Sequence, residues 1–215
     1  MLTIKKLPGF TLIELLISIA LSAIIFLALM SVFIANINHY QKSINTTRLN
    51  QQLEGALQII VNDIRRAGYS STANNDLTLD QNTNPFQAAA TDISVNAGNN
   101  CILFSYDHAN NGILPAISSA ADDDRYGYQL RNGAIQARPP GATFACGAAN
   151  WENVTDPNIV NITALTFTLN SSNVTTGPAT RGLTMRSVDI SVTGQLVNNA
   201  AVTRTLTQHV RLRND

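Results

Sequence analysis

From Phe10 to Ala35 about 26 residues run with a single charged side chain, Glu14. At about 1.5 Å rise per residue a helix of that length spans about 39 Å, enough to cross a bilayer core with some tilt. No other feature narrows the fold as far, because a helix apolar on every side needs lipid or protein all round it. A buried core helix of this purity does not suit a chain of 215 residues. Lys5 and Lys6 precede the run with no acidic residue near them, so the positive-inside rule predicts residues 1–9 in the cytoplasm and the remainder outside it. An ordinary secretory signal fits poorly, since its apolar stretch spans only about 7–15 residues and ends at a small-x-small site. Pro8-Gly9 instead breaks the helix before Phe10 and presents an extended, small-residue bond to a peptidase, with the bond after Gly9 as the natural cut.

Glu14 is tolerated within this run on energetic grounds. About sixteen Leu, Ile, Phe and Val side chains contribute roughly −0.3 to −0.6 kcal/mol each to insertion, against roughly +2.5 to +3.5 for one acidic residue. Tolerance does not explain its presence, and an ionisable group in such a segment calls for a partner. Cleavage after Gly9 would create one, the α-ammonium of Phe10, either in the same chain one helical turn away or on a neighbouring subunit. The intermolecular pairing would set the axial register of packed helices and make Glu14 an assembly residue. A carboxylate that merely complements the positive end of the helix dipole is the plainer reading, and the two are compatible.

The residues Lys5-Lys6-x-x-Gly9-Phe10-Thr11-Leu12-Ile13-Glu14-Leu15-Leu16 resemble the class III signal of type IV pilins and type II secretion pseudopilins. The resemblance implies cleavage between Gly9 and Phe10 by an inner-membrane prepilin peptidase, N-methylation of Phe10, and pairing of Glu14 with the N-terminal amine of an adjoining subunit. A second stretch, Asp63-Ile64-Arg65-Arg66-Ala67-Gly68-Tyr69, is similar to the end of the long helix in PilW-type minor pilins, as is the region around Trp151. J-type pseudopilins share the general layout. Beyond residue 69 the resemblance is loose.

After Ala35 the run becomes amphipathic, with Leu49, Leu53, Ala56, Ile60, Ile64 and Ala67 recurring at steps of three or four, widened by Leu57 and Val61. The spacing predicts one helix continuing to about Ala67, with Gly68 as its C-cap and Arg65 and Arg66 placed against the dipole. Residues 70–100 read as a long connection with one short strand near Ile93 to Val95. Strands are predicted at Cys101–Tyr106, Arg125–Arg131 with Ala134–Arg138, Ile162–Leu169, and Arg186–Leu196 with Ala201–Leu212. Asn132-Gly133 is a hairpin signal, and Asn198-Asn199 the expected turn of the last pair. Alternation of Val188, Ile190 and Val192, and of Leu206, Gln208, Val210 and Leu212, predicts half-buried strands laid on the helical stripe. The fold class expected is α+β and pilin-like: a long N-terminal helix, its apolar half transmembrane, its amphipathic half packed on an antiparallel sheet. The division is a leader at 1–9, the membrane and assembly half at 10–35, the amphipathic half at 36–69, and a periplasmic β-rich domain at 70–215.

Cys101 and Cys146 both follow the apolar run, so export to an oxidising compartment would let them bridge a 45-residue loop, worth roughly 4 kcal/mol on the chain-entropy model. Two separate thiols remain the alternative, since sequence does not place their Cα atoms. His39, His108 and His209 are too scattered for zinc. Asp107-His108-Ala109-Asn110-Asn111-Gly112 has the Asp, Asn and Gly of a calcium loop, but Ala109 holds a ligand position and Ser118 stands where a bidentate Glu is needed. A solvated turn is the favoured reading of that loop and of the acidic run Asp122-Asp123-Asp124. No spacing suggests a catalytic grouping, a phosphate loop or a cofactor, so the chain is expected not to be an enzyme and to carry no metal or cofactor.

Fourteen basic residues balance fourteen acidic ones, which gives the bulk charge no preference for nucleic acid. Arg204, His209, Arg211 and Arg213 are read as a basic edge strand that discourages aggregation, rather than as a DNA contact. Trp151 and Tyr126 are expected in the core. The resemblance therefore implies a minor pilin subunit of the bacterial inner membrane that enters a type IV pilus or pseudopilus. Its partners would be the prepilin peptidase, the inner-membrane assembly platform and other minor and major pilins. A J-type pseudopilin of a type II secretion system is the near alternative, and a membrane-anchored binding module or adhesin that never assembles is the alternative of another class.

Overall fold

The computed structural model describes residues 9–72, 84–115, 123–175 and 182–214, with backbone alone for 173–175 and 182–184. The chain divides into two compact units, Met1–Thr46 and Thr47–Asp215, and one helix, α1 (Leu12–Ile64), supplies residues to both.

Within the first unit no described residue is buried. Most of its apolar side chains, among them Leu16, Leu21, Phe26 and Phe33, are more than half exposed. The polar side chains that interrupt them bond back to the helix itself: Ser18 Oγ donates to the Glu14 carbonyl, Ser22 Oγ to that of Ile19 and Ser31 Oγ to that of Ala28. Each hydroxyl is thus satisfied without water, which suits an apolar surround.

In the second unit the same helix has a face. Leu49, Leu53, Ala56, Leu57, Ile60, Val61 and Ile64 are buried at steps of one, three and four, the one-sided pattern of a helix lying on a core. The regular helix stops at Ile64 rather than Ala67, because its last turn tightens: Arg66 N–H donates to the Asp63 carbonyl and Ala67 N–H to that of Ile64. Gly68 then adopts φ 75° and turns its N–H to the Ser105 carbonyl at 2.9 Å. The Asn214 side-chain amide caps the freed carbonyls of Arg66 and Ala67.

Two antiparallel sheets, rather than one, form around this helix end. The first has the order β1 (Ser94–Val95), β2 (Cys101–Ser105), β3 (Arg125–Arg131), β4 (Ala134–Ala137) and β5 (Glu152–Asn153). The second has the order β6 (Val160–Thr175), β7 (Gly182–Leu196) and β8 (Asn199–Arg211). Asn132 and Gly133 take φ 52° and 72° at the β3–β4 turn, as a two-residue hairpin with both central residues left-handed requires. That turn and the one between β1 and β2 join the sheets, since the Gly133 carbonyl accepts from Ile162 N–H of β6 at 2.7 Å and the Asn99 carbonyl accepts from Phe167 N–H at 2.7 Å. A single expected sheet becomes two because strand order depends on these distant pairings, which local alternation does not encode.

Several element boundaries also differ from expectation. β6 extends to Thr175, well past Leu169, because its register with β7 continues through Asn170, Ser171 and Ser172, whose polar side chains carry no apolar alternation. β5 is two exposed residues, too short for any pattern. The last turn is Val197-Asn198, since Leu196 pairs with Asn199 and stays buried. The core gathers Leu53, Ile60 and Ile64 of α1 with Ile102 and Phe104 of β2 and Val160, Phe167, Val188 and Ile190 of the second sheet. Gly194 is a point of closest approach, where a Cβ would stand 2.9 Å from Leu53 Cδ2 and 3.1 Å from Val160 Cγ1.

Candidate functional site

The start of α1 is built around Glu14. Thr11 precedes the first helical residue, and its backbone N–H and hydroxyl both donate to Glu14 Oε2 at 2.9 Å, while Glu14 N–H returns to Thr11 Oγ1 at 3.4 Å. This is a reciprocal capping box, in which Thr and Glu three residues apart satisfy donors that the first helical turn leaves open. The carboxylate also lies against the positive end of the dipole. Thr11 is the residue that sequence reasoning passed over, although its signal is plain in the Thr-x-x-Glu spacing. Gly9 has open space where a Cβ would stand, and Phe10 is 89% exposed, so the Gly9–Phe10 peptide is sterically free. A cut there keeps the Thr11 N–H and frees an ammonium one residue before it. Among the described residues α1 is the one helix long and apolar enough to cross a membrane, and none of its apolar window is buried.

The Asp63 to Tyr69 stretch has its own geometry in the second unit. Asp63 accepts from the Tyr128 hydroxyl at 2.5 Å and from that of Tyr106 at 3.5 Å, which ties the helix end to β3 and to the end of β2. Tyr106 and Tyr126 stack at 4.1 Å, Phe104 stacks on both, and the Arg66 guanidinium lies 5.8 Å from the Tyr106 ring centre. Burial, and then the Asp63 charge, raise the Tyr106 and Tyr128 hydroxyls above the usual phenol value. These contacts anchor a helix; they present no reacting group.

Cys101 and Cys146 form a disulfide with Cα atoms 5.9 Å apart. It pins the loop after β4 over the outer side of the first sheet. The same loop is held by Arg138, whose Nη2 pairs with Asp123 Oδ2 at 2.6 Å with both side chains fully buried, and Arg125 Nη1 pairs with Asp123 Oδ1 at 3.3 Å. Trp151 packs on this side too, over Gly127, where a Cβ would stand 2.8 Å from its ring. A shallow cleft beside the disulfide is lined by Asn96, Asn100, Gln129 and Arg131. These side chains bond to one another and to the loop backbone: Asn96 to Asn100, Gln129 and Arg131 to main-chain carbonyls.

The acidic run corrects the reading of a solvated turn. Asp123 and Asp124 are buried, drawn in by the Arg138 pair and by the His108 N–H that donates to Asp124 Oδ1 at 3.0 Å. Asp122 and Ser118 lie outside the described residues. Asp107 is buried as well and accepts the backbone N–H groups of Ser71, Asn111 and Gly112, so it organises its loop. Burial raises the Asp107 carboxyl, but those hydrogen bonds outweigh it and hold the group below the usual carboxylate range. Among the described residues no three Asp, Glu, His or Cys side chains stand together as metal ligands. β8 is the outer strand of its sheet with Arg204, His209 and Arg211 exposed, and His209 Nδ1 pairs with Asp189 Oδ1 at 2.6 Å across to β7.

Comparison with known families agrees with the start of α1. Residues 6–30 match the prokaryotic N-terminal methylation motif, and residues 42–212 match the family of prepilin peptidase-dependent protein B. No curated protein and no solved structure matches the chain significantly. The second match spans most of the chain, and together the two define a type IV pilin-like protein with a class III signal: the chain belongs to the prepilin peptidase-dependent protein B family.

Proposed function

We propose that the chain is a structural minor pilin of the PilW type, which helps initiate or cap a type IV pilus and catalyses no reaction. A prepilin peptidase cuts between Gly9 and Phe10, Phe10 is N-methylated, and the Cys101–Cys146 domain lies in the periplasm with residues 10–35 in the inner membrane until assembly. One observation carries this reading: the first part of α1 leaves every apolar side chain uncovered and begins with a carboxylate. The apolar sum favours insertion by roughly 5–10 kcal/mol against a cost of about 3 for Glu14, so the acid is affordable in lipid. Its ionic partner is the ammonium that processing creates on a neighbouring subunit, as for an assembly residue.

The test is Glu14→Ala. The variant should insert and be processed normally but no longer co-purify with other pilins from crosslinked membranes. Unchanged recovery of pilin partners would remove the assembly role from Glu14.

A further inference from the structure

We infer that the open edge of β8 receives an extended, acidic strand donated by another protein chain. β8 is the outer strand of its sheet, and its 13 residues include no proline, glycine or lysine. Its register with β7 runs without a bulge from Thr203 to Arg211. Natural sheets shorten, interrupt or cover a long edge, because a row of unpaired N–H and C=O groups is a template for another strand. Other edges of this molecule are treated that way: β1 and β5 are two residues each, and β6 gives its outward N–H groups at Ile162 and Phe167 to the first sheet.

The ladder fixes which groups are on offer. Leu212 N–H donates to the Arg186 carbonyl at 3.1 Å, so Leu212 faces β7, and by antiparallel alternation so do Val210, Gln208, Leu206 and Arg204. Phe167, opposite Ile190, turns its N–H away from β7 to Asn99, which leaves Ile190 bonded toward Gln208 and sets the same phase. Thr203, Thr205, Thr207, His209 and Arg211 therefore direct their N–H and C=O groups outward. The His209 carbonyl meets only the Gln208 side chain, at 3.5 Å.

Charge selects the occupant. Among the described residues Arg204, Arg211 and Arg213 pair with no carboxylate, while Asp189 is taken by His209. β8 itself has no acid. A second copy would bring the same cations and be repelled, whereas a strand with acids beside Arg204 and Arg211 is drawn in. Val202 and Leu206, partly buried at the margin of the core, add an apolar strip that an alternating strand would cover. Main-chain bonds would hold such a strand, and these side chains would choose it. Nucleic acid would meet the arginines but leave the outward carbonyls unpaired, so polypeptide is the better fit.

The test uses the full chain in detergent and a fluorescent peptide that alternates valine with threonine and glutamate. Anisotropy should show saturable binding, and isotope-labelled peptide carbonyls should move to the infrared position of a β-sheet. Replacing the glutamates by lysine, or the central residue by proline, should weaken binding by about tenfold or more. Thr207→Pro removes an outward N–H and leaves the β7 ladder whole, so it should melt like the wild type and lose binding to the same degree. Arg204→Glu combined with Arg211→Glu should reverse the preference toward the lysine peptide, a result that does not depend on the proline variant. No binding of the acidic peptide to the wild type, or binding undiminished by Thr207→Pro in a folded chain, would overturn the proposal. Equal binding of the proline-broken peptide, or its displacement by duplex DNA, would also overturn it by showing ionic attraction alone. A wild-type dimer that Thr207→Pro separates would overturn it in favour of a second copy.

Discussion

One helix passes through two environments in this molecule. In residues 9–46 its apolar side chains point in every direction and none is buried; in residues 47–64 all but Ile59 are gathered on one side and the most central are fully buried. The second stretch finds its partners within the chain, in β2, β6 and β7. The first finds none, so its hydrophobicity is a demand on something outside the chain. The difference shows what a helix's apolar period reports: a stripe means that the fold covers it, and an unbroken apolar cylinder means lipid or other subunits do.

The contrast is broken most directly by cutting one leucine on each side of it. Leu53→Ala should destabilise the second unit by about 3–4 kcal/mol, since the side chain is fully buried against Gly194 and leaves a cavity. Leu21→Ala should leave the same unfolding curve within about 0.5 kcal/mol. Urea unfolding followed by the single tryptophan, Trp151, reads the second unit alone. Equal losses from the two substitutions would mean that residues 9–46 share the core after all.

A smaller effect sharpens the same point through pH. The hydroxyls of Tyr106, Tyr126 and Tyr128 are all raised, mainly by burial, while in the unfolded chain they ionise near pH 10. A group whose folded value lies above its unfolded one stabilises fully below the unfolded value and less as pH rises past it. The tyrosine contribution should therefore be flat up to about pH 10, and stability should fall above it, by up to about 1.4 kcal/mol per pH unit for each tyrosine. Tyr128→Phe should remove one share of that slope and cost about 1.5–3 kcal/mol at neutral pH, through the lost bond to Asp63. The slope should be the same in detergent and in lipid, because it belongs to a unit that needs neither.

Much of this contrast is legible in the sequence, because both halves are periodic. The buried face of α1, the Asn132-Gly133 turn and the alternation of Val188, Ile190 and Val192 are local patterns, and each appears in the structure where its spacing places it. Thr11 was equally legible in the Thr-x-x-Glu spacing. The two-sheet arrangement was not, since it rests on bonds from β6 to Gly133 and Asn99 across large sequence separations. The acidic run misleads for the same reason. Three consecutive aspartates look solvated from sequence, yet Arg138, fifteen residues on from Asp123, pairs with Asp123 in the interior.

The central claim is that the apolar half of α1 becomes an assembly surface only once residues 1–9 have gone. Intact-mass and N-terminal analysis of the chain recovered from sheared fibres tests it most directly. The account expects a chain that begins at N-methylated Phe10, with Glu14 as its fifth residue. A chain in functional fibres that still begins at Met1, or one cut beyond Ala35, would contradict it.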